Sequence, residues 1–133
     1  MKKILVVDDD IGMLKLIRIM LQDMGIEVDI ARGGVEALAK LSQYQYDAIL
    51  VDELMPDMRG VQFSRIVRGK EPCPYFEKIY KVECPIYIIS NWTKDEIVSR
   101  FGEGNNFNED ISGFISKYNI MEQLNGIFAQ TVG

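Results

Sequence analysis

Three times in this chain four apolar residues run straight into an acid or a hydroxyl: ILVV into Asp8, AILV into Asp52 and IYII into Ser90. Runs this short, with no polar alternation, are the pattern of strands buried on both faces of a parallel sheet. The segments KILVVD (3–8), DAILVD (47–52) and PIYIIS (85–90) read this way, IEVDIA (26–31) alternates as a half-buried strand, and ISGFISK (111–117) gives a fifth. Helical spacing fills the gaps. Leu14, Ile17, Met20, Leu21 and Met24 mark a helix from 11 to 24 that stops at Gly25. GGVEALAKLSQ (33–43), VQFSRIVR (61–68), TKDEIVSRF (93–101) and residues 120–131 supply the others. Thr93 and Glu96 have the spacing of a capping box, and Met121, Leu124, Ile127 and Phe128 form the apolar stripe of the last helix. Pro72 and Pro74 break residues 69–84, and the glycine-rich stretch 102–110 reads as a loop.

Five strands alternating with five helices predict an α/β fold with a doubly wound parallel sheet, because parallel neighbours need right-handed crossover connections. A chain of 133 residues with 47% apolar content is sized for one domain with one sizeable core, here taken as 1–133. A net charge of -5 leaves no basic stripe for nucleic acid. The apolar run after MKK is too short for a signal peptide or a membrane span, so a cytoplasmic protein is expected. With no histidine, His-based triads and mixed zinc sites are excluded, and Cys73 and Cys84 read as two reduced thiols.

In doubly wound sheets function gathers at the carboxyl ends of the strands. There this sequence places Asp8, Asp9, Asp52, Ser90 and Lys117. Carboxylates brought to one edge raise one another's pKa unless a cation neutralises them. Mg²⁺ suits them, being a hard ion that takes oxygen ligands through one or two carboxylates and leaves positions for water or phosphate. A carboxylate beside such an ion can attack a phosphoryl group, with a lysine offsetting charge on the transferring oxygens.

VVDDD, ILVDELMPDMRG, IYIIS and FISK, in that order and spanning nearly the whole chain, resemble the receiver domain of two-component response regulators. The resemblance implies a flavodoxin-like receiver fold with strand order 2-1-3-4-5; the order comes from the family and not from the spacing. It implies Asp52 as phospho-acceptor, Asp9 as a direct Mg²⁺ ligand, Asp8 as a partner holding the ion through water, and Leu54 as donor of a backbone carbonyl. Ser90 and Lys117 match the hydroxyl and lysine that engage the phosphoryl group, Phe114 matches the aromatic switch position, and Asp10 is only a neighbour at the rim. The implied partners are a sensor histidine kinase or phosphotransfer protein as donor. A downstream protein, or an output domain, is then controlled through the surface of the fourth helix, fifth strand and fifth helix. A homodimer is a further possibility of the family, and the implied role is that of a signalling module, not an enzyme. The last expected helix ends close to Gly133 with no output domain after it, so either a stand-alone regulator or a receiver separated from its output is expected.

This sequence also departs from the family. Tyr118 follows the lysine where the family usually has proline, and the stretches from Asp52 to Ser90 and from Ser90 to Lys117 are long, with the extra residues assigned to 69–84 and 102–110. These extensions predict a partner surface unlike that of other members. Leu54 and Trp92 are bulky and apolar where the family influences the water that attacks the acyl phosphate. Two other readings follow from the same residues. Asp8 and Asp10 form a D-x-D resembling haloacid-dehalogenase-type phosphatases, with Asp8 as nucleophile and Glu109 and Asp110, in a loop, as the candidate for the later acidic pair that family needs. Alternatively the domain keeps the fold as a protein-interaction module without phosphorylation.

Overall fold

Within each apolar run, successive side chains point to opposite faces of the sheet, so both faces need a cover. The computed structural model describes residues 2–79, 81–101 and 107–129 and shows what covers them. The elements are β1 (Lys3–Val7), α1 (Ile11–Asp23), β2 (Glu27–Ala31), α2 (Gly34–Leu41), β3 (Ala48–Asp52), α3 (Gly60–Val67), β4 (Ile86–Ser90), α4 (Lys94–Phe101), α5 (Phe107–Asp110), β5 (Gly113–Ser116) and α6 (Ile120–Phe128). The strands form one sheet in the order β2-β1-β3-β4-β5, and every pair is parallel.

Ile4, Val6, Ala48, Leu50, Ile89 and Ile115 pack on one face against Leu14, Ile17 and Leu21 of α1 and Ile120, Leu124 and Phe128 of α6. Leu5, Val7, Ile49, Val51, Ile86 and Ile88 pack on the other with Leu38 and Leu41 of α2 and Phe63 and Ile66 of α3. Fully burying one such side chain is worth roughly 1.5–3 kcal/mol. A one-residue slip of any central strand would exchange the two sets, and this holds the register that brings the strand ends level. Val7 pairs with Ala31 and Val51, Asp52 with Ile89, and Ser90 with Ser116.

The five main helices and five strands lie where the sequence predicts, with two local differences. The stretch expected as a loop over 102–110 contains the one-turn α5; residues 102–106 lie outside the described residues. The last strand is shorter than ISGFISK, ending at Ser116, and Lys117–Asn119 form a 3₁₀ turn. The described residues of the 69–84 stretch form no regular element, but Cys73, Phe76, Ile79 and Cys84 pack on the core face shared with α2 and α3. Arg68 fastens it, donating from Nε to the Asp110 carbonyl (3.1 Å) and from its two terminal nitrogens to the carbonyls of Val82 (2.8 Å) and Cys84 (2.9 Å). Lys70 Nζ meets both Glu109 and Asp110 at 2.7 Å, so the two extended stretches touch. Among the described residues no helix is long and apolar enough to cross a membrane.

Candidate functional site

Asp8 follows the last residue of β1 and is completely buried. Its backbone N–H donates to the Ala31 carbonyl (3.1 Å) and its Oδ1 accepts the Asp10 N–H (3.0 Å). Its Oδ2 stands 3.1 Å from Lys117 Nζ with no other partner among the described residues. Asp52, the last residue of β3, is 5% exposed, and its Oδ1 lies 3.1 Å from the same ammonium. Asp9 is exposed at the mouth. One carboxylate oxygen from each of Asp8, Asp9 and Asp52 falls within 4.8 Å of the other two.

Burial, and then the charge of Asp8, push the Asp52 carboxyl up to about 7, against the pull of Lys117. Burial pulls the Lys117 ammonium down, but attraction to Asp52 and Asp8 outweighs it and its pKa rises. One ammonium facing three clustered acids leaves the edge negative. The donors are hard oxygens, and the buried Asp8 Oδ2 has the Lys117 ammonium as its one partner among the described residues, so a hard divalent cation fits the cluster.

Lys117 reaches this place although Tyr118 stands after it. All described peptide bonds are trans, and hydrogen bonds hold the turn: Ser116 Oγ accepts the Tyr118 N–H (3.2 Å) and Gln123 Oε1 accepts the Ser116 N–H (2.8 Å). Ser90 ends β4, buried, with its Oγ accepting the Trp92 N–H at 2.9 Å. Its hydroxyl proton is left to donate. Trp92 is half-buried, with the Arg100 guanidinium 4.1 Å and that of Arg59 5.9 Å from its ring centre. Phe114 lies half-buried on β5, packs on the α2/α3 face and has Lys94 Nζ 5.9 Å from its ring centre. Leu54, the second residue after β3, has its side chain exposed and pairs in an antiparallel bridge with Arg59.

Asp10 turns away from the cluster and caps α1, its Oδ1 accepting the Met13 N–H at 3.2 Å. Its position just before the first periodic residue of a helix is the sequence signal for that role. The D-x-D pair therefore does not act as a pair, and Glu109 and Asp110 are engaged with Lys70. Two further acids lack such a signal. Glu53 is 0% exposed and its Oε1 accepts the Val61 N–H (2.9 Å) at the start of α3, while burial raises its pKa. Asp57 accepts the N–H groups of Gly34 (3.2 Å) and Val35 (2.8 Å) at the start of α2.

The family model for the response regulator receiver domain matches residues 4–128. The chain is 40% identical over 72 residues to the transcriptional regulatory protein ResD of Bacillus subtilis, a match covering 54% of this chain and 30% of that protein. It is 47% identical over 72 residues to the hybrid signal transduction histidine kinase L of Dictyostelium discoideum, covering 52% of this chain and 4% of that protein. The matched region thus spans less than a third of the length of either relative. Among solved structures, the chemotaxis response regulator CheY4 of Vibrio cholerae aligns over 100% of this chain and 99% of its own, with a TM-score of 0.77 and 32% identity. The parallel sheet, its strand order, the acids at the ends of β1 and β3, and these likenesses agree: the chain belongs to the response regulator receiver domain family.

Proposed function

We propose that this domain accepts a phosphoryl group on Asp52 and relays that state to a partner protein. The observation that carries the reading is the shared contact of Lys117 Nζ with Asp8 Oδ2 and Asp52 Oδ1, both at 3.1 Å, beside a triad of acids within 4.8 Å. In this reading Asp8, Asp9, Asp52 and the Leu54 carbonyl would hold Mg²⁺, and the ion would supply positive charge to offset that of the phosphoryl oxygens. An Asp52 carboxylate oxygen attacks phosphorus, the bond from phosphorus to the donor breaks, and an acyl phosphate forms while the donor leaves with the bonding electron pair. Lys117 takes one phosphoryl oxygen as its ion partner, and the Ser90 hydroxyl donates to another.

The donor is a phosphohistidine on a sensor kinase or phosphotransfer protein. Moving the Ser90 hydroxyl to the phosphoryl group draws on the same turn that holds Trp92, and Phe114 on the neighbouring strand follows, altering the α4-β5-α6 surface that a partner reads. Intact-mass analysis with acetyl phosphate tests this. A gain of one phosphoryl group is expected with Mg²⁺ and not with chelator, and Asp52→Asn is expected to abolish it. Unchanged mass under every condition would leave the interaction-module reading standing.

A further inference from the structure

α2 and α3 share an omission: neither Gly33 nor Arg59, their N-cap residues, makes a side-chain capping bond. Both caps come from one loop. Glu53 at its base accepts Val61 N–H at the start of α3, and Asp57 at its tip accepts Gly34 and Val35 N–H at the start of α2. Between them lies Leu54. The Leu54–Arg59 bridge closes the loop, Gly60 N–H donates to the Glu53 carbonyl at 3.0 Å, and Met55 and Met58 sink into the core while Asp57 stays outside. The approach at α2 is close: a Cβ at Gly33 would lie 3.1 Å from Asp57 Oδ2, and one at Gly34 would meet the Met58 side chain.

A helix cap normally serves its own helix from the adjacent residue. Here Asp57 reaches a helix from a different crossover, so its two bonds fix the loop as much as they finish the helix. That loop carries the one backbone carbonyl in the metal reading, and a carbonyl is placed only as well as its backbone is held. We propose that Asp57 is a positioning residue for the divalent-cation site, acting through the backbone of residues 53–59. The proposal rests on the metal reading above. By reciprocity, a cation that favours one arrangement of the loop also favours the Asp57 bonds to α2.

Mg²⁺ titration of the unphosphorylated protein, followed by Trp92 fluorescence, gives the affinity, and amide hydrogen exchange at Gly34 and Val35 gives the state of the α2 start. Asp57→Ala is expected to weaken Mg²⁺ binding roughly tenfold. Asp57→Asn, which keeps an acceptor oxygen but not the charge, is expected to stay nearer to wild type. Mg²⁺ should slow exchange at Gly34 and Val35 in wild type and fail to do so in Asp57→Ala. Equal weakening in both variants would mean that charge alone acts, and unchanged affinity with faster exchange would mean a purely structural cap; either result overturns the proposal. A wild-type protein that binds no Mg²⁺ would instead overturn the metal reading beneath it.

Discussion

Lys117 Nζ lies 3.1 Å from Asp52 Oδ1, joining the end of β5 to the end of β3 across β4. The contact lowers the proton affinity of Asp52, yet burial and the Asp8 charge are larger and hold the group near 7. An unfolded aspartate titrates at about 3.9. The native state therefore binds this proton more tightly than the unfolded chain does. Its contribution is most favourable below about pH 4 and is lost as pH rises to about 7, with no further change above that. In chelator, urea unfolding should show wild type losing stability relative to Asp52→Asn between pH 5 and 7, because Asn removes the titration. Parallel curves for the two proteins across this range would contradict the assignment.

The lifetime of the phosphorylated state should be long. Leu54 is 44% exposed at the loop start and offers no polar atom from its side chain, and the Trp92 ring is held against Arg100 at 4.1 Å. Neither side chain can orient a water for attack on the acyl phosphate as a general base would. A half-life of many minutes is expected after removal of donor, measured by loss of the phosphoryl mass. Leu54→Asn should shorten it several-fold, and a half-life of seconds in the wild-type protein would contradict the argument.

Gly60 packs where no side chain fits. A Cβ there would lie 2.6 Å from the Asp52 carbonyl oxygen and 3.1 Å from Glu53 Cα, both backbone atoms that cannot rotate aside. Gly60→Ala is expected to cost roughly 1–3 kcal/mol by forcing α3 away from the end of β3. Gly126 in α6 is the opposite case, with open space around the same added atom. Gly126→Ala should stabilise by about 0.5–1 kcal/mol through helix propensity. Urea midpoints that shift in the same direction for both would contradict the packing argument.

The apolar runs were enough to predict the sheet and the acids at its edge, because burial on both faces leaves a mark in each strand on its own. The strand order follows only from the family resemblance, since register between distant strands is not written in either one. Glu53 and Asp57 carry no sequence signal for a related reason: their partners are amides of Val61, Gly34 and Val35, and nothing near either acid signals a helix start. Lys117 keeps its position despite Tyr118 because the turn uses Ser116 and Gln123 to hold the N–H groups, a solution visible only once α6 is folded back. α5 is one turn long and draws on Lys70 for two of its acids, so the local sequence of 107–110 shows little sign of it.

Arg68 decides whether the 69–84 stretch is part of the domain or an appendage. Its guanidinium spans three carbonyls, those of Val82, Cys84 and Asp110, which no other single side chain matches in shape. Removing it strands part-buried acceptors, at about 1–3 kcal/mol for each that water cannot reach. Arg68→Met, which keeps the apolar stem, is expected to lower stability by roughly 2–3 kcal/mol. Limited proteolysis should then cut first within 69–84, and Arg68→Lys should fall between, since an ammonium cannot bridge all three acceptors. Phosphorylation of Asp52 should survive the substitution, because no Arg68 contact reaches the acids at the carboxyl edge. An unchanged urea midpoint together with an unchanged cleavage pattern would show that packing of Phe76 and Ile79 on the core suffices to hold the stretch.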